Sequence, residues 1–223
     1  GKQQLEKSSK EAVLDGVLHE LQNCLQSIGM GVDLLQLSQP DALECQTINL
    51  GIERASRLLR EMQEYFFPPE IYLSTKNIGE VLVEIVHSVA REARGMEVCL
   101  HLPEVPPSFQ YDWLVLSRVL ERVLRCACGL LSAPGSKIVI NAREQRQSVI
   151  TIQVEIHGTK ELEIDEKRVF TPFWRVNDYQ AGLGLVLARQ AIDHRHGQLT
   201  FEKMGPCRTQ FTLRLAVPPE NVW

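Results

Sequence analysis

Apolar residues fall at Leu14, Leu18, Leu21, Leu25, Ile28, Val32 and Leu35. The steps alternate between four and three, which is the heptad seam of a packed helical bundle. The spacing predicts a helix from near Ser9 to about Leu37. Gly16, Gly29 and Gly31 each weaken it by roughly 1 kcal/mol relative to alanine, so packing must make up the difference. The turn Ser38-Gln-Pro-Asp41 breaks the pattern, and Asp41-Ala-Leu-Glu44 reads as a capping box that opens a second helix. That helix carries its own seam at Ile48, Ile52, Ala55, Leu59, Met62 and Phe66 and stops before Pro68 and Pro69. Two antiparallel helices cannot enclose a core by themselves. The expected solution is a homodimer with a four-helix bundle, and the alternative is packing against the rest of the same chain.

After Pro69 the texture changes from heptads to mixed helix and strand. Asn77 to Ala93 is an amphipathic helix, with Ile78, Val81, Leu82, Ile85, Val86 and Val89 on one side. Glu97 to Leu102 reads as a strand, and Pro103, Pro106 and Pro107 make the next loop. Asp112 caps a helix to about Leu131, and Ser132-Ala-Pro-Gly135 turns it into a strand from Lys137 to Ala142. Ser148 to Ile156 alternates well enough to form a hairpin with that strand. An aromatic turn from Arg168 to Trp174 precedes a helix opened by Gly182 and running to about His194. Strands from His196 to Glu202 and from Arg208 to Val217 close the chain. The order predicts an α+β protein: a helical hairpin over residues 1–68, then an α/β sandwich over 69–223 with helices on one face of an antiparallel or mixed sheet.

One histidine lies off the first seam. His19 shares the outward side of its helix with Gln22, Asn23 and Gln26, because three or four residues return a helix to nearly the same angle. Composition narrows the choice of partner. The 223 residues carry a formal charge of −4 with no basic patch, which argues against nucleic acid. Six scattered cysteines with no Cys-x-x-Cys suggest reduced thiols of a cytosolic protein rather than disulfides or zinc. No apolar run is long enough to span a bilayer, and the polar start is not a signal peptide. That start lacks Met, so the chain is expected to be a piece of a longer one.

At this point several motifs resemble, in order, those of a bacterial two-component sensor histidine kinase core. His19-Glu-Leu-Gln-Asn-Cys-Leu25 is similar to that family's phosphoacceptor box, His-Glu-x-x-Asn-Pro-Leu, with Cys24 in place of proline. Asp112, followed by Leu114 to Leu120, resembles the approach to the asparagine box. Arg168-Val-Phe-Thr-Pro-Phe173 resembles the phenylalanine box, Ala181-Gly-Leu-Gly-Leu185 the last glycine box, and His196-Gly197 the His-Gly before a strand. The resemblance implies dimerisation and phosphotransfer helices followed by a Bergerat-type ATP-binding domain. His19 would be the phosphoacceptor. Asn23 would position a water when a phosphoryl group is removed from a partner's aspartate. Gly182 and Gly184, at a helix start, would be a remnant phosphate cradle.

Two nucleotide boxes depart from the family. Where the family has a magnesium-binding asparagine, Arg122 and Cys126 stand, and no asparagine lies between Asn77 and Asn141. Where an aspartate should recognise adenine, the chain has Ile156-His-Gly158. Losing a magnesium ligand removes charge neutralisation for a triphosphate.

Imidazole has an ordinary pKa of about 6.5, so histidine supplies a neutral nitrogen nucleophile near neutral pH. Glu20 is the candidate to take the proton of the other ring nitrogen and orient the ring. The leading expectation is phosphotransfer between His19 and the receiver aspartate of a response regulator, with no ATP use of its own and with an upstream histidine kinase as a possible phosphate source. An active kinase core using ATP and magnesium is the alternative. A non-catalytic module that sequesters signalling partners is the second. His194 and His196 point in different directions, which disfavours a metal pair, and Cys126 and Cys128 read as core. Phe173 and Trp174 are expected to pack on the bundle or cover the nucleotide pocket.

Overall fold

The computed structural model describes residues 2–38, 43–90, 96–131, 135–145, 149–176 and 179–216. The chain divides into two compact units, Gly1–Pro69 and Glu70–Trp223.

The first unit is a pair of helices, α1 (Lys2–Ser38) and α2 (Leu43–Phe66). The first begins earlier than the heptads alone suggested and runs unbroken through Cys24. The predicted turn and the capping-box aspartate, over 39–42, lie outside the described residues. The seam of α1 divides lengthwise. Leu18 and Val32 are buried, at 2% and 5% exposure, while Leu21, Ile28 and Leu35 stay open at 46%, 52% and 59%. Alternate seam positions therefore meet α2, and the rest form an uncovered apolar strip. Among the described residues, side-chain amides hydrogen-bond across the helices, from Gln22 Nε2 to Gln63 Oε1 at 3.3 Å and from Asn49 Nδ2 to Gln36 Oε1 at 3.4 Å.

The second unit runs in the order β1 (Ser74–Asn77), α3 (Ile78–Ala90), β2 (Glu97–His101), β3 (Ser108–Tyr111), α4 (Trp113–Leu130), β4 (Lys137–Gln145) and β5 (Val149–His157). A short 3-10 turn (Glu166–Arg168) follows, then β6 (Arg175–Val176), β7 (Tyr179–Gln180), α5 (Gly184–Asp193), β8 (Gln198–Gly205) and β9 (Arg208–Ala216). The main sheet has the order β2-β4-β5-β9-β8, with β2 parallel to β4 and every other pair antiparallel. Alternation explains the layering. Ile138, Ile140, Ile150, Ile152, Val154, Ile156, Phe211, Leu213 and Leu215 point to one face and join a single core with Leu116, Leu120 and Leu124 of α4 and Leu185 and Ile192 of α5. This is the α+β architecture expected from the pattern.

Two small ribbons were not expected. β1 pairs with β3, and β6 with β7, both antiparallel. Asn77 does not extend α3 but caps it: its Oδ1 accepts from the Gly79 N–H at 2.8 Å, while its Nδ2 donates to the Pro106 carbonyl at 2.8 Å. The predicted end of α3 at Ala93 lies outside the described residues. So does most of the turn after α4, at 132–134, while Gly135 takes the left-handed φ of +84°.

Candidate phosphoacceptor helix and nucleotide-type domain

On α1, His19, Glu20, Asn23 and Gln26 are all exposed. Asn23 stands one turn beyond His19, so the two share one side of the helix. Glu20, the next residue, is turned by about 100°. Among the described residues neither the His19 nor the Glu20 side chain makes a hydrogen bond or ion pair. The Asn23 backbone carbonyl accepts from Ser27 Oγ at 2.9 Å, and its side chain is exposed. Gln22 corrects the expectation. It sits only about 40° from buried Leu18 on the helical wheel, so it turns toward α2 and donates to Gln63 rather than facing outward. The outward row is therefore His19, Asn23 and Gln26.

In the second unit, Asp112 caps α4 as expected, with Oδ1 accepting from the Val115 N–H at 3.2 Å. Its other oxygen pairs with Arg195 Nη2 at 2.6 Å, and the carboxylate is almost fully buried. Arg195 follows the end of α5 and also donates through Nη1 to the Ala191 carbonyl at 3.1 Å. Sequence reasoning missed this arginine. Its neighbours His194 and His196 are both exposed, and His196 takes a left-handed φ of +56°. Among the described residues no three metal-ligating side chains come together.

The residues at the departed boxes can be placed in turn. Cys126 is fully buried in the core, and Arg122 is half-buried. Ile156 points into the core beneath the helices. His157 points the other way, where its Nε2 and Arg208 Nη2 meet Glu155 Oε2 at 3.1 and 2.5 Å. Burial pushes the Glu155 carboxyl up, but the hydrogen bonds from Arg208 and His157 outweigh it and hold the group below the ordinary carboxylate value. Gly158 donates to the Cys207 carbonyl at 2.7 Å, which ties the end of β5 to the β8–β9 turn.

The glycine box opens α5 two residues later than expected. Gly182 is not helical; it takes φ of +60°, which a glycine accepts without strain, and its carbonyl receives the Phe173 N–H at 2.7 Å. Gly184, the first helical residue, is buried, and its N–H already bonds the Ala181 carbonyl at 3.2 Å. Phe170 stacks under the Arg189 guanidinium at 5.0 Å. Trp174 is 3% exposed and belongs to the core of this unit, a packing role that the sequence reading did not assign to it. Phe173 remains exposed.

Residues 112–219 match the family of histidine kinase-, DNA gyrase B-, and HSP90-like ATPases. Relatives extend the likeness over both units. The sensory histidine kinase/phosphatase NtrB of Escherichia coli O157:H7 is 25% identical over a 237-residue alignment that covers 96% of this chain and 65% of NtrB. The solved structure of full-length ShkA in complex with AMPPNP superposes with a TM-score of 0.73 at 18% identity, covering 95% of this chain and 47% of ShkA. The histidine kinase ThkA in complex with the response regulator TrrA gives a TM-score of 0.67 at 17% identity, over 99% of this chain and 66% of ThkA. Together these matches support a two-component sensor histidine kinase core, in which a helical hairpin precedes a Bergerat-type ATPase domain. Among the described residues no helix is long and apolar enough to cross a membrane.

Proposed function

We propose that this chain carries a phosphoryl group on His19 and exchanges it with the receiver aspartate of a response regulator, without using ATP itself. The observation that carries this reading is a contrast within one chain. The hairpin presents His19 and Asn23 together on an open helix face. The residues expected to hold a magnesium nucleotide do not fit one: the Cys126 thiol is buried and is a poor ligand for a hard cation, Ile156 offers no acceptor to adenine, and the Gly184 amide is already bonded.

In the transfer, a neutral imidazole nitrogen of His19 attacks the phosphorus of the acyl phosphate. The bond from phosphorus to the aspartate oxygen breaks, and the carboxylate leaves with the electron pair. Glu20 takes or shares the proton on the far ring nitrogen as positive charge develops there. Running the step backward returns the phosphoryl group to the receiver. Asn23, on the same face, orients a water for hydrolysis of the receiver's phosphate. NtrB is named as both kinase and phosphatase, which is consistent with such a bidirectional surface. ThkA, solved with TrrA, illustrates a relative holding a response regulator.

The test is incubation with a phosphorylated receiver domain. Label should appear on this chain at His19 and vanish in His19→Ala, and Asn23→Ala should slow receiver dephosphorylation while leaving the label on His19. A parallel melt with millimolar ATP and magnesium should show no upward shift; a rise of several degrees would favour a working kinase instead. If His19→Ala keeps the biological effect, the chain acts by sequestration and transfer is not its role.

A further inference from the structure

The sheet face turned away from α3, α4 and α5 is unevenly charged. Toward one end, charges are matched: Glu155 receives Arg208, His157 and Asn141, and Glu97 pairs with Lys137 at 3.1 Å. Toward the other end stand Arg143 of β4, Thr151 of β5 and Arg214 of β9, abreast in register across three adjacent strands. Both arginines are exposed, and neither side chain makes a hydrogen bond or ion pair with another described residue. Thr151 is 1% exposed, yet its Oγ1 has no hydrogen-bond partner among the described residues.

The surroundings do not supply the missing acceptor. On the same face Asn141 and Gln145 flank Arg143, Gln153 follows Thr151, Thr212 precedes Arg214, and Gln198 lies beside Arg214. These are amides and hydroxyls, and no carboxylate shares this end of the face among the described residues. A buried hydroxyl without a partner is unfavourable, and native structures rarely keep one without a water, ion or ligand to meet it. Strands lie about 4.8 Å apart, so the two arginines stand about 10 Å apart at their Cα atoms. Guanidinium groups on stems of that reach can close over the threonine between them.

We infer that Arg143, Thr151 and Arg214 form a binding site for a phosphate group. A carboxylate is planar and one guanidinium fork already satisfies it. Donors from two opposed guanidiniums, with a hydroxyl beneath, match the several oxygens of a tetrahedral dianion. The site lies on the sheet face opposite the helix α5 that carries the glycine box, so it is separate from the remnant nucleotide site and does not depend on how His19 is used. The ligand is free phosphate or a phosphate monoester, which share this chemistry.

The test is a titration of the full chain, observed by NMR at the Arg143 and Arg214 Nε–H groups and the Thr151 methyl, with inorganic phosphate and with phenyl phosphate at ionic strength held constant by chloride. Saturable shifts at all three residues are expected, with Arg143→Gln and Arg214→Gln each weakening binding by about tenfold. Thr151→Val, which keeps the shape, should weaken it less. Because both arginines are exposed, the two arginine variants should retain the wild-type melting temperature without ligand, and a phosphate concentration that raises the wild-type melting temperature should raise theirs less. Binding of inorganic phosphate only identifies the free anion, and tighter binding of phenyl phosphate identifies an ester. Shifts that do not saturate, that chloride reproduces, or that survive both arginine substitutions would overturn the assignment.

Discussion

Asp112 joins two distant parts of the ATPase-type domain through its two oxygens. One caps α4 and the other neutralises Arg195, 83 residues further along. Removing it leaves a buried guanidinium uncompensated and the first turn of α4 uncapped. Asp112→Ala should therefore cost about 3–5 kcal/mol, seen as a lower denaturation midpoint at unchanged slope. Asp112→Asn keeps the cap and should cost less. The aspartate was legible in the sequence because a cap is a local signal just ahead of an apolar helix. Arg195 was not, since its role exists only once α5 returns to the start of α4. Next to the pair, burial pushes the Tyr111 phenol up to about 12, with Arg195 opposing and Asp112 reinforcing the rise. The folded state thus holds a proton that the unfolded chain releases near pH 10. This contribution to stability is complete below pH 10 and is lost as pH climbs toward 12. Chemical denaturation across that interval should show the decline. Tyr111→Phe should reduce its slope while costing little at neutral pH, because the hydroxyl has no hydrogen-bond partner among the described residues.

At the scale of elements, long periodic segments were readable and short cross-chain ribbons were not. The helices α1, α2 and α4 and the β4–β5 hairpin follow from spacing and caps within single stretches. β1 and β3 are four residues each and pair across 31 to 37 positions of chain, so nothing local marks them. The same holds for the phosphate-type cluster: Arg143, Thr151 and Arg214 are unremarkable in three separate strands and become a group only through register. The His-Gly before β8 was noticed as a motif, and the structure adds its reason. A Cβ on Gly197 would lie 2.7 Å from the Arg214 carbonyl oxygen and 2.7 Å from Ile192 Cγ2, so α5 can turn into β8 against β9 only with no side chain there. Gly197→Ala should destabilise by about 1–3 kcal/mol through forced movement of backbone, measured by thermal melting. Gly31→Ala, in open space on α1, should instead be neutral or stabilise.

At the scale of the whole molecule, the hairpin leaves the strip of Leu21, Ile28 and Leu35 uncovered. Those three are at least 46% exposed, while their seam partners Leu18 and Val32 are buried. A helix pair that buries half of a heptad seam has the geometry of one half of a four-helix bundle, and the missing half must present the same period. A second copy meets that requirement by symmetry, since an isologous contact places the same strip on both sides. Burying a leucine or isoleucine stabilises by about 1.5–3 kcal/mol, and the strip offers three per protomer. Ile28 lies at its centre. Ile28→Glu would place two carboxylates close together in an apolar layer, at a cost that exceeds what the remaining contacts supply. The wild-type chain should therefore sediment as a dimer and Ile28→Glu as a monomer whose ATPase-type domain still melts as a unit. His19 stands on the opposite side of α1 from this strip, so the monomer should keep an accessible histidine. If it still accepts phosphoryl groups from a receiver, transfer belongs to the single helix face; if transfer is lost with the dimer, the receiver is read by both protomers at once. A wild-type monomer would instead mean that another surface covers the strip.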